Sequence, residues 1–150
     1  MNSILVFLFI LFFPVSLQEN CTREILIEHI GSSDKPIYPL LISTKEVQFT
    51  KQSYEGQIVA VLSDAEFAMI EKSLLSFASS IPRSKLNAPD FSPGTFSMMV
   101  ADSCGKSKVV LYNKKNSKLF LNFLLKRTKL LNSKAKMKMQ PYLVHALEVF

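Results

Sequence analysis

The chain has 150 residues, 48% of them hydrophobic, and a formal net charge of +6 at pH 7. A chain of this size buries roughly two-thirds of its unfolded surface, so it needs neither a metal nor a lattice of disulfides to fold. Beyond the first eighteen positions no segment approaches the roughly 20 consecutive apolar residues of a membrane-spanning helix.

Residues 4–13 are ten large apolar residues in a row, closed by Pro14, Val15 and Ser16. That is the length of a signal-peptide core and too short to cross a bilayer. We therefore read residues 1–18 as a cleavable signal peptide, cut after Ser16 or Gln18, and residues 19–150 as a single exported domain. The start is atypical in carrying no Lys or Arg. Gln18, Glu19 and Asn20 precede Cys21 where a lipobox would need small residues, which argues against lipid attachment. Asn20-Cys21-Thr22 spells a glycosylation sequon, effective only in a eukaryotic secretory pathway. In an oxidising compartment the two cysteines have only each other as partners, so a Cys21–Cys104 disulfide is expected.

The segment 24–30 is rich in Ile and Leu, residues 31–34 (Gly-Ser-Ser-Asp) supply a turn, and residues 37–43 resume the apolar character. This pattern predicts a hairpin. Pro36 and Pro39 lack the N–H that a ladder needs, which predicts an edge position or an irregular start for the second strand. Val47 and Phe49 alternate with polar neighbours as in a short half-exposed strand, and residues 54–56 turn the chain. Residues 58–62 (Ile-Val-Ala-Val-Leu) are apolar on both faces and predict the centre of the sheet. Ser63-Asp64-Ala65-Glu66 then forms a capping box, and Phe67, Ile70, Leu74, Phe77 and Ile81 make one face of a helix ended by Pro82, with Glu71, Lys72 and Ser76 turned away.

Residues 82–93, rich in Pro, Ser, Asn and Asp, predict a long loop. Residues 95–101 and 108–112 predict a second hairpin whose connection contains Gly105. Residues 118–131 have the Leu, Phe and Lys content of a helix, with Leu119, Phe120, Phe123, Leu124 and Leu131 as its buried stripe. Residues 132–150 are ambiguous: Met137 and Met139 alternate with lysines, while Pro141 suits the first turn of a short last helix, the reading we adopt. Together these elements predict an α+β fold: a single-layer, mostly antiparallel sheet of about five strands with two to three helices packed on it, in the order β-β-(β)-β-α-β-β-α-(α).

Charge is unevenly divided. Residues 19–104 hold seven Lys or Arg against eleven Asp or Glu, whereas residues 105–150 hold eleven against Glu148 alone. The basic third is either a contact surface for a polyanion, through Lys126, Arg127, Lys129, Lys134, Lys136 and Lys138, or a solvated face balanced in space by Glu24, Glu28, Glu66 and Glu71. Lysine far outnumbers arginine, which counts against specific nucleic-acid recognition.

Motifs for chemistry are weak. Gly105-Lys106-Ser107 resembles the end of a phosphate loop, but Val100 stands where its first glycine belongs and a strand pattern follows. Cys104 with His29 or His145 could serve as a nucleophile and base, and Cys21, His29, Cys104 and His145 are zinc-type ligands, but the four are scattered along the chain. Asp64 and Glu66 are explained by the capping box. We assign no catalytic residue, cofactor or metal. The reading favoured is a small exported, non-enzymatic protein-interaction module of the periplasm, envelope or extracellular space. A polyanion- or membrane-surface-binding protein is the alternative, and a small secreted hydrolase the third choice.

Overall fold

A computed structural model describes residues 21–30, 37–44, 56–81, 95–105, 107–132 and 134–149. Residues 1–18, the strand expected around Val47 and Phe49, and the loop expected at residues 82–93 lie outside the described residues.

In chain order the elements are β1 (Arg23–Ile30), β2 (Leu40–Ser43), β3 (Ile58–Val61), α1 (Asp64–Ser80), β4 (Thr95–Asp102), β5 (Ser107–Tyr112), α2 (Lys114–Thr128) and α3 (Lys134–Glu148). The strands form one mixed sheet in the order β3-β2-β1-β4-β5, antiparallel except for the β2–β3 pair. This is the α+β architecture expected.

The alternation along β1 explains the layering. Ile25 and Ile27 pair across the sheet with Val100 and Met98 on one side and with Ile42 and Leu40 on the other. All six are buried, in one cluster with Phe67, Ile70 and Leu74 of α1, Phe120, Leu121 and Leu124 of α2, and Met139 and Leu143 of α3. The three helices therefore cover the same face of the sheet. On the opposite face Leu26 and Leu41 are also buried, with Glu24 and Ser43 beside them.

One expectation about the sheet is corrected. Residues 58–62 do not form its centre: β3 is the outermost strand of this order, and β1 is central. Continuous apolarity reports covering on both faces, not the number of strand neighbours, and here it is partial, since Ile58 and Val59 are half-buried and Val61 is 38% exposed. Of the two forms expected for the second strand, β2 takes the irregular start: residues 37–39 are not in a strand, β2 opens only at Leu40, and it then lies inside the sheet. Both prolines precede its first residue, Leu40, and the Pro39 carbonyl accepts from the Ile58 amide at 2.9 Å, so no ladder donor is missing where a neighbour needs one.

Helix α1 begins as its sequence dictates. The Ser63 hydroxyl accepts from the Glu66 amide and Glu66 Oε2 accepts from the Ser63 amide at 3.1 Å, completing the capping box. Glu71 is buried, not turned to solvent, because its Oε2 accepts from Arg23 of β1 at 2.8 Å. Helix α2 starts four residues earlier than expected, because the Asn113 side chain caps it by accepting from the Asn116 amide at 2.9 Å. Of the expected stripe, Phe120, Leu124 and Leu131 are buried and Phe123 is half-buried; Leu121 joins them, and Leu119 is instead 52% exposed, since Phe120 and Leu121 take the inward positions, Phe120 stacked on Tyr112. Ser117 locks the same corner, donating to the Tyr112 carbonyl and accepting from the Phe96 amide, each at 3.0 Å.

Helix α3 begins seven residues before Pro141, which lies inside it. An interior proline removes one helical hydrogen bond and costs about 3 kcal/mol. Pro141 faces solvent while Ala135, Met139, Tyr142, Leu143 and Ala146 are buried on the other side, so tertiary packing outweighs the local penalty.

Candidate binding surfaces on the helical layer

The expected disulfide is present: Cys21 and Cys104 are bonded, with Cα atoms 5.7 Å apart. Gly105, at φ +85°, turns the chain beside it, and the Cys104 amide donates to Asp102 Oδ1 at 3.0 Å. The bond corrects any reading of Cys104 as nucleophile or of the two cysteines as zinc ligands, because neither retains a thiolate. The histidines sit apart from it. His29 lies edge-on to Phe96 at 5.2 Å between ring centroids, and burial holds its pKa below the ordinary value. His145 is exposed in the last turn of α3. Among the described residues no three His, Cys, Asp or Glu side chains gather as a metal site would require. Ser107 opens strand β5, so a strand follows where a phosphate loop needs a helix N-terminus.

The six basic residues singled out by the sequence divide into three groups. Lys126, Lys129 and Lys134 are exposed around the connection from α2 to α3, and among the described residues none has a carboxylate within ion-pair reach. Lys136 and Lys138 are tied down: their ammonium groups donate to the Lys129 carbonyl at 3.2 Å, just past the C-terminus of α2, and to the Val59 carbonyl at 3.3 Å. Arg127 is half-buried, with its guanidinium 5.1 Å above the centre of the Phe123 ring. Of the four carboxylates proposed to balance this region, Glu66 reaches the α2–α3 connection, where its Oε1 accepts from the Asn132 amide at 2.9 Å. Glu71 is engaged with Arg23, and Glu24 is buried on the opposite face of the sheet.

Apolar side chains accompany these charges. Leu130 is 57% exposed and Met137 70%, and Met137, exposed Pro141 and Val144 fall on one stripe of α3 by helical spacing.

The sequence did not reveal a cleft of about 370 Å³ between α1 and α2, lined by Lys72, Ser73, Ser76, Phe77, Ser80, Phe123 and Arg127. Phe77 and Phe123 stack in it at 4.7 Å, continuing an aromatic cluster that runs inward to Tyr112 and Phe120. The available signals were the i, i+4 spacing of Phe123 and Arg127 and the polar face of α1 at residues 72, 73, 76 and 80. Neither says that the two faces meet.

No described helix is long and apolar enough to cross a membrane. No protein-family model, curated protein or solved structure matches the chain.

Proposed function

We propose that the chain is an exported, non-enzymatic interaction module that contacts an acidic partner protein through the α2–α3 connection and the outer face of α3. The observation that carries this reading is the surface where Lys126, Lys129 and Lys134 are exposed and make no ion pair among the described residues, beside exposed Leu130 and Met137. Exposed apolar groups mixed with uncompensated charge of one sign suit a partner that supplies the opposite charge and a greasy contact. Export rests on the apolar run of residues 4–13, and the Cys21–Cys104 bond is consistent with it.

The same cations favour a second reading, adhesion to an anionic polymer or lipid surface, because lysines attract such surfaces as point charges without needing specific geometry. Retention on heparin and on phosphatidylserine vesicles at about 0.15 M salt, compared between wild type and a Lys126→Gln/Lys129→Gln/Lys134→Gln variant, tests this second reading. Retention lost in the variant supports it, and no wild-type retention removes it. For the protein partner, capture from the exported fraction of the source must disappear in the same variant. Capture that survives the substitutions, or no capture at all, overturns the lead.

A further inference from the structure

We propose that the α1–α2 cleft is a separate binding site for a small amphiphile with one anionic head and an apolar body. This inference goes beyond the surface reading above and does not depend on it.

The cleft has a floor and a rim of different chemistry. Its floor is the stacked pair Phe77 and Phe123, and both rings are half-buried, so each keeps a face or edge open to a ligand. On the rim, the residues that line it from α1 are 72, 73, 76, 77 and 80, which helical spacing puts along one side. Lys72 is exposed, and among the described residues neither Lys72 nor Arg127 has a carboxylate partner. No carboxylate lines the cleft. Two cations facing an aromatic floor select against cationic ligands and for anionic ones.

Arg127 carries most of the argument. Four residues after Phe123 on α2, its guanidinium lies over that ring, and this contact restrains the side chain before any ligand arrives. A guanidinium held in this way keeps its in-plane N–H groups for a bidentate bond to a carboxylate or phosphate, and the restraint lowers the ordering cost of forming it. Ser73 and Ser76 add hydroxyl donors with no partner among the described residues. Ser80 contributes less, since its hydroxyl already donates to the Phe77 carbonyl at 2.7 Å. The volume falls inside the range of about 300–1,000 Å³ common for small-molecule sites.

The ligand is therefore assigned as a carboxylate- or phosphate-headed molecule whose acyl or aryl body lies on Phe77 and Phe123. Dodecanoate and dodecyl phosphate are suitable probes, because they share a body and differ in the head, and dodecyltrimethylammonium is the control of opposite charge. Binding is followed below the micelle threshold by calorimetry and by the ring-proton shifts of Phe77 and Phe123. One or both anionic probes should bind and move these rings, and the cationic probe should bind at least tenfold more weakly. Which head binds more tightly separates a carboxylate from a phosphate source.

Arg127→Gln should weaken anion binding about tenfold or more, the value of a charge-assisted bidentate pair. Ser76→Phe should fill the cleft and abolish binding. Ser76→Phe leaves Lys126, Lys129 and Lys134 intact, so heparin or vesicle retention in that variant reports on the surface reading alone. Far-ultraviolet dichroism of each variant confirms the fold. The proposal is overturned if no anionic probe binds, if the cationic probe binds equally well, or if a folded Arg127→Gln or Ser76→Phe protein binds like wild type.

Discussion

Two regions that both touch the first half of α1 treat polar groups in opposite ways. At the start of β1, Cys21 is bonded to Cys104, Thr22 and Ser103 exchange hydrogen bonds at 2.9 and 3.1 Å, and Arg23 reaches Glu71 at 2.8 Å. Around the α2–α3 connection, Lys126, Lys129 and Lys134 are exposed and make no ion pair among the described residues. Closed pairing of this kind fixes strand register and ties the chain start to its middle. Open, same-sign charge contributes little to stability and leaves its field available to a partner. Stability and the proposed contact thus fall to different regions, so each should be open to perturbation with little effect on the other.

The largest expected effect is at the closed end. Replacing both cysteines by serine should lower unfolding free energy on the order of 4 kcal/mol, since the bond closes residues 83 apart in sequence. Urea unfolding of the two proteins measures this. Heparin retention of the folded variant should match wild type, and a parallel loss of retention would break the separation of roles.

A gain of stability is expected next, in the open region. Pro141→Ala should stabilise the protein by about 1–3 kcal/mol, because alanine restores the donor and removes the ring clash inside α3 without touching the buried side. A thermal midpoint unchanged or lowered would mean that the helix needs its proline geometry. Smaller still is Ser63→Ala, which removes the acceptor for the Glu66 amide and should cost about 1 kcal/mol, read as a shift in urea midpoint at constant m-value.

These sites also mark what was readable in the sequence. Ser63 with Glu66 and Gly105 between two β-favouring runs are local signals with a short-range physical cause, the cysteine pair was readable because each has only one possible partner, and each appears in the structure as expected. What escaped was decided by distant partners. Residues 58–62 look central but lack a second strand neighbour among the described residues, and Glu71 looks solvent-facing until Arg23 arrives from β1. The helix through Pro141 violates a local rule that packing overrides. The cleft needed two helix faces to meet, and Arg127 read only as one more surface cation until Phe123 lay beneath it.

A pH effect belongs to the sheet. Burial lowers the pKa of His29 in the folded state, so the unfolded chain binds a proton that the folded chain resists. Stability from this group is therefore full above its ordinary pKa of 6.5 and declines as pH falls toward the folded value. His29→Gln should flatten the slope of unfolding free energy between neutral and mildly acidic pH. An unchanged slope would assign that dependence to other groups.

The smallest stability effect should come from the residues with the largest proposed contact role. Changing Lys126, Lys129 and Lys134 to Gln removes three like charges near one another and near the N-terminus of α1, whose Glu66 already holds the Asn132 amide. Each lysine is exposed and makes no ion pair among the described residues, so no buried group is left unsatisfied by its loss. Relief of mutual repulsion should raise stability by no more than about 0.5 kcal/mol at low ionic strength, and the gain should vanish in high salt, where the screening length is only about 3 Å at 1 M. If the substitutions instead destabilise the fold by more than that, in high salt as well as low, these lysines hold the α2–α3 connection together by packing. The open surface would then be part of the scaffold.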